Sequence, residues 1–259
     1  GVFLSYVTAQ GHALIDRELY LSEDWINDAA RRQTVHIPET VCFQTKPELA
    51  RRMIQRAQSA ALPIRWVVAD TVYGHSTDLR LWLEEQGFPF ALAVPANEVV
   101  CVQTAQGYRI YEVACIEQQA LIPQNWQRLS MSLGTKGERL FDWAIVAQVH
   151  RGTVDGCHWL VIRRCLDDPG EKAYYLIFAP PGTSLQTMVL AIGARWSIEV
   201  DLENAKDLGL DQYEVRSYVG WYRHMTLVML AAAFLLSICV QDSRHSCQPE
   251  ERASSPPLI

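Results

Sequence analysis

The stretch KPELARRMIQRAQSAALPIRWVVADTVYG, residues 46–74, decides the fold class. Its first part is helical, because Leu49, Met53 and Ala57 recur at a spacing that places them on one face. Pro63 ends that helix, since proline has no N–H to give and a fixed φ. Residues 64–69 (IRWVVA) then form a short apolar strand that closes on Asp70. A helix handing over to an apolar strand that ends in a carboxylate is a unit of an α/β sheet. Such sheets hold ligands beyond the carboxyl ends of their strands. Downstream, residues 78–86 predict a second helix stopped by Gly87, and 89–94 a further strand. Upstream, residues 1–8 and 12–21 read as two strands joined by a turn at Gln10-Gly11. The expected class is α/β with a mixed sheet.

Farther along, the character changes. Residues 97–183 carry Tyr/Val/Ile/Trp-rich runs at 107–113, 143–150, 157–165 and 173–178, separated by turn signals at 134–137 and 167–170. Little helical pattern appears there, so this part reads as a β-rich insertion. Helix returns at 185–207 and 221–240, and a polar tail follows from 241 to 259, expected to be disordered. The predicted division is therefore 1–96, 97–183, 184–240 and 241–259.

Composition narrows the class. Of 259 residues, 49% are hydrophobic and 20% charged, which excludes global disorder. A net charge of −6 excludes a surface that wraps nucleic acid on every side, while leaving room for a local basic cleft. The seven cysteines are never spaced C-x-x-C, which argues against a zinc finger or a disulfide framework and for a reducing cytosol. Gly1 opens directly into an apolar stretch and the chain stops at SSPPLI, so it reads as a piece of something longer. The uncharged run 225–240, MTLVMLAAAFLLSICV, falls short of the roughly 20 residues a spanning helix wants. Its expected place is a core helix buried on most faces.

Two features carry candidate chemistry. On a helical wheel with Arg195 at zero, Glu199 falls at about 40° and Lys206 at about 20°. An arginine, a carboxylate and a lysine then share one narrow face over three turns. A surface ion pair between Arg195 and Glu199 is the plainer reading, although Trp196, Ile198 and Val200 crowd the adjacent faces and argue against a simply exposed helix. Asp70 is likewise open to two readings: a ligand-holding carboxylate at a strand end, or the cap of the helix that follows. Arg216, Arg223 and His224 follow the Glu199 region and either line a phosphate channel or lie on the surface. Trp143 reads as core ahead of a stacking platform, Cys157-His158 has no partner pair for a metal, and 134–137 lacks the phosphate-loop spacing.

Taken together, these motifs resemble one family. Arg195, Glu199 and Lys206 match the R-x3-E-x6-K part of the Y-x2-R-x3-E-x6-K signature of DDE transposases in the IS-four superfamily of insertion sequences. The surrounding RWSIEVDLENAKDLGLDQYEVRSYVGWYRHMTL is similar to the Glu-bearing region of one branch of that superfamily. GVFLSYVTAQGHALIDRELYL resembles its strand pair, WVVADTVYG its second-Asp motif and GTKGERLFDWA part of its insertion. The resemblance runs from Gly1 to about Val240.

It implies a ribonuclease-H-like fold interrupted by a β-rich insertion between the second Asp and the Glu. Two Mg²⁺ or Mn²⁺ ions, held by three carboxylates, would activate water and then a 3′-hydroxyl for attack on a DNA phosphodiester. Hard oxygen donors suit those ions. Asp70 would be the second Asp and Glu199 the Glu, both of them metal ligands. Arg195 and Lys206 would hold DNA phosphate, with Arg216, Arg223 and His224 as further DNA contacts. The implied partners are double-stranded DNA, as the element's inverted repeats and the target, and a second copy in the DNA complex. No membrane is implied, and the location is the bacterial cytoplasm at the nucleoid.

Two departures stand out. Ile192 occupies the signature's Tyr position, and the family's first Asp lies on a strand before Gly1, with Asp16 and Glu18 as poor substitutes. The chain alone is thus expected to be inactive; the alternative is a decayed remnant that binds DNA or a partner transposase. A glycosidase using Asp70 and Glu199 is disfavoured, since Arg195 and Lys206 would lower the pKa of its general acid.

Overall fold

The computed structural model describes residues 1–104, 107–134, 137–146 and 157–246. These form two compact units: Gly1–Val2 with Phe43–Trp196, and Phe3–Cys42 with the described residues from Ser197 onward. The expected hairpin, β1 (Val2–Thr8) and β2 (Gly11–Glu18), belongs to the second unit from Phe3 onward. Two short helices without a strong local signal follow, α1 (Glu23–Asn27) and α2 (Ala29–Thr34), the latter capped by Asp28.

In the first unit, α3 (Lys46–Ser59) forms where expected. Thr45 and Glu48 make a reciprocal capping box, Pro47 sits in the first turn, and Leu49, Met53, Ile54 and Ala57 are the buried stripe. After it come β3 (Val67–Ala69), α4 (Thr71–Gly74), α5 (Thr77–Glu85) and β4 (Phe90–Val94). Next are a hairpin of β5 (Val99–Thr104) and β6 (Gly107–Glu112), then α6 (Val113–Ala120). The helix α6 corrects the reading of 97–183 as almost purely β. Strands β7 (Gln127–Gly134), β8 (Gly137–Val146), β9 (His158–Arg164) and β10 (Lys172–Phe178) complete the region.

The sheet is six-stranded and mixed, in the order β3-β4-β10-β9-β8-β7. β3 pairs parallel to β4, and the other neighbours pair antiparallel. The strands read as an insertion therefore extend the sheet that carries Asp70. Alternate residues feed opposite faces, as strand geometry demands. Leu160, Ile162, Tyr174 and Leu176 pack with Val113 and Ile116 of α6, whereas Val161, Tyr175 and Ile177 pack with Met188, Val189 and Ile192. Those last three belong to α7 (Leu185–Ala194). A six-stranded mixed sheet flanked by helices fits the expected ribonuclease-H-like class.

Back in the second unit, α8 (Ser197–Asp207) and α9 (Tyr218–Ser246) pack with the hairpin around Leu14, Ala205, Leu210, Met225, Val228 and Met229. α9 corrects two expectations. It continues to Ser246, past the predicted end at 240, because neither Pro nor Gly interrupts it; residues 247–259 lie outside the described ones. It is also no core helix: Leu227, Leu230 and Phe234 are 66%, 64% and 62% exposed. Its apolar residues run all the way round, and the hairpin and α8 cover a single side. By length and composition, Tyr218–Asp242 is apolar enough to cross a bilayer, with mean hydropathy 1.9.

Candidate active site

Asp70 stands one residue beyond β3, at the carboxyl end of that strand, and its side chain is exposed. Its Oδ1 accepts the Val72 N–H at 2.9 Å, so the capping role is real. A carboxylate has lone pairs left after one such bond, so capping and metal ligation are compatible. The turn it caps is fixed from below. Gly74 lies flat on β4, where a Cβ would overlap the carbonyl oxygen of Ala93, so no other residue fits without displacing the strand. The Gly74 carbonyl accepts from Arg80, which is 1% exposed and donates also to Thr77 Oγ1 (3.2 Å) and Glu98 Oε1 (2.8 Å). The other Glu98 oxygen meets His75 Nδ1 at 2.9 Å. The one local signal for this anchor is the arginine within the apolar run LRLWL of α5. Burial, and then the charge of Asp70, push the Tyr73 phenol up to about 12.

Glu199 is placed differently from expectation. The continuous helix 185–207 is broken: Arg195 is the C-cap of α7, and α8 begins at Ser197. Across the break the backbone tightens, with Arg195 N–H donating to Ile192 O and Trp196 N–H to Gly193 O, both at 3.2 Å. The predicted three-turn face of Arg195, Glu199 and Lys206 is therefore corrected. Glu199 and Lys206 share a helix, while Arg195 belongs to the sheet-bearing unit, half-buried, with its guanidinium 5.1 Å from the Trp196 ring.

Within α8 the opposite face sets the orientation. Asp201, 6% exposed, accepts from Ser5 Oγ and meets His12 Nδ1 at 2.7 Å, tying α8 to both hairpin strands. Ile198, Ala205 and Leu208 pack on the same side. At 100° per residue, Glu199 and Lys206 then lie at about 160° and 140° from Asp201. Locking Asp201 inward aims the other two outward; Glu199 is half-buried and Lys206 exposed.

The remaining candidates divide. Arg216 and Arg223 are exposed, Arg216 just before α9 and Arg223 on it. His224 instead has Nε2 2.8 Å from the Gly209 carbonyl oxygen and its ring 5.3 Å from Tyr213, a bond that holds the loop between α8 and α9. Asp16 and Glu18 are drawn into the hairpin itself. Asp16 accepts the Arg17 N–H at 2.8 Å, and buried Glu18 accepts the Tyr222 hydroxyl at 2.9 Å. Burial raises the Tyr222 phenol, and Glu18 adds to the rise while the Leu19 N–H opposes it. Trp143 is wholly buried, which places it in the core.

Among the described residues, no three His, Cys, Asp or Glu side chains are grouped to hold a metal. Asp70 and Glu199 each carry the hard oxygen donors that Mg²⁺ and Mn²⁺ prefer. In comparisons with known proteins, residues 1–138 match the model of the family described as DDE superfamily endonuclease. No curated protein matches the chain.

Proposed function

The chain belongs to the DDE superfamily of endonucleases, enzymes that cleave DNA with divalent metal ions, and from that premise we propose that it is the catalytic part of an insertion-sequence transposase of the IS-four superfamily. Asp70 and Glu199 are its metal-binding carboxylates, for two Mg²⁺ or Mn²⁺ ions. When bound, those ions supply an activated water or 3′-hydroxyl and stabilise the leaving oxygen. Arg195, Lys206, Arg216 and Arg223 contact phosphate, with His224 limited to its second ring nitrogen. The substrate is duplex DNA at the element's ends and at the target, handled by a pair of transposase copies, in a bacterial cytoplasm.

The observation that carries this reading is the pairing of one motif with one geometry. R-x3-E-x6-K presents Glu199 and Lys206 on the outward face of α8, because Asp201 locks the inward one. Lys206 lies about 10.5 Å along the helix axis from Glu199 on that same face, so one DNA backbone running along α8 would meet both. The 259-residue chain by itself is expected to bind DNA without cutting it.

The test combines gel retardation of duplex DNA over a salt series with Mn²⁺ binding followed by electron paramagnetic resonance. Retardation should fall steeply with salt, and Asp70→Asn and Glu199→Gln should each weaken Mn²⁺ binding with the fold intact. Mn²⁺ binding indifferent to both substitutions would remove the catalytic assignment. Cleavage of DNA by the chain alone would refute its inactivity.

A further inference from the structure

Between the end of the hairpin and the start of α9, the second unit holds a cavity of about 360 Å³. Its volume lies within the range of small-ligand sites, about 300–1,000 Å³. Tyr20, Trp25, Tyr213, Tyr218 and Trp221 line it, and among the described residues Arg216 is the one charged lining residue and no carboxylate lines it. A second guanidinium, that of Arg31, lies 4.8 Å from the Trp25 ring, so this tryptophan already serves as a cation platform.

The walls are tied together before any ligand arrives. The Tyr218 N–H donates to the Val35 carbonyl at 2.9 Å, joining the start of α9 to the end of α2. The Tyr213 hydroxyl donates to the Ser217 carbonyl at 2.8 Å and accepts the Ser217 N–H at 3.2 Å. The ordering cost at the Tyr213 ring, and at the backbone that carries Tyr218, is thus met within the fold. A cavity of this volume accommodates a base with its attached phosphate. Aromatic faces beside an arginine, with no carboxylate, match a base attached to its phosphate.

We propose that this pocket takes one unpaired base of single-stranded DNA, stacked against Trp25, Tyr218 and Trp221, with the adjoining phosphate on Arg216. This rests on the reading of DNA as the substrate. It adds a single-strand subsite that neither the carboxylates nor Lys206 provide. Every base offers a π face, so the pocket is tolerant of sequence.

The experiment compares, by fluorescence anisotropy, the binding of the 259-residue chain to a short oligothymidine, to an abasic strand of equal length and to a duplex. The oligothymidine should bind about ten-fold tighter than the abasic strand. Trp25→Ala should abolish that preference and Trp25→Phe should keep most of it, which separates a lost ring from a lost fold. Arg216→Gln should weaken both single strands alike and reduce the salt slope by about one. Equal affinity of the native chain for oligothymidine and abasic strand, with duplex binding retained, overturns the pocket alone. That same result is the one a pocket built for an apolar peptide would give. Failure to bind any of the three strands at low salt overturns the DNA reading and the pocket with it.

Discussion

The sheet around β4, β9 and β10 and the hairpin around Asp201 hold their shape by different physics. The sheet is apolar on both faces, with Leu92, Leu160, Val161 and Ile162 fully buried and Trp143 at 0% exposure. The hairpin has a smaller apolar cluster and spends buried carboxylates instead: Asp201 on Ser5 and His12, Glu18 on Tyr222. Apolar burial is non-directional; it fixes where an element lies and is permissive about its rotation. Hydrogen bonds to a buried carboxylate are directional and fix rotation. Asp70 is thus delivered by position, at the end of a strand clamped in a sheet. Glu199 is delivered by rotation, on a helix whose inner face is pinned.

The largest expected effect is on the apolar side. Trp143 packs edge-on to Phe141 at 6.3 Å and donates its indole N–H to the Leu129 carbonyl at 3.3 Å. Trp143→Ala should cost about 3–5 kcal/mol in urea unfolding, with little change between low and high salt. Asp201→Asn should cost less, about 1–3 kcal/mol, since His12 is 30% exposed and water can replace part of what is lost. Pairing Asp201→Asn with Ser5→Ala should show coupling of about 0.5–3 kcal/mol, as for residues in one network. A larger loss at Asp201 than at Trp143, or no coupling to Ser5, breaks the contrast.

A gentler probe sits beside Asp70. The Tyr73 phenol is held above its ordinary 10.0, at about 12, mainly by burial and secondly by Asp70. The folded state therefore keeps this proton where the unfolded chain loses it. Tyr73 contributes stability in full below pH 10, and that contribution is lost as pH rises from 10 to about 12. Tyr73→Phe should flatten this part of the alkaline stability profile. Asp70→Asn should lower the phenol pKa, yet leave it above 10 because burial remains; phenolate absorbance reads both. An unchanged titration in Asp70→Asn would mean that the carboxylate does not act on the ring.

What was legible in the sequence was local. β3, β4, β9 and β10, the hairpin and α3 announce themselves through alternation, turn residues and a capping box within a few positions. The break at Arg195-Trp196 was illegible because no Gly or Pro follows Arg195; its cause is tertiary. Trp196 packs with the sheet cluster and Ile198 with the hairpin cluster, so the break falls where the chain passes from one unit to the other. The local signal for Asp201 is a carboxylate on the apolar stripe of Ile198, Ala205 and Leu208. Its partners, Ser5 and His12, lie 196 and 189 residues away in sequence, beyond any local pattern. Helix α6 had a weaker signal, Val113 and Ile116 three apart, hidden among β-rich neighbours.

The smallest expected effect concerns α9, where a single helix carries both situations. Val228 and Met229 are 6% and 8% exposed in the hairpin cluster, whereas Leu230 and Phe234 face outward. Met229→Ala should cost about 2 kcal/mol, toward the low end for a buried Met. Leu230→Ser and Phe234→Ser should each stay within about 0.5 kcal/mol, as for surface positions, less a few tenths for serine's poorer helix propensity. Large apolar patches left in water also promote association, so the two serine variants together should reduce light scattering at high protein concentration. A loss above about 1.5 kcal/mol at Leu230 would mean that the outward face is covered when the protein is in solution. The contrast between sheet and hairpin would then need a third element, an apolar contact on α9 that helps Asp201 hold the rotation of α8.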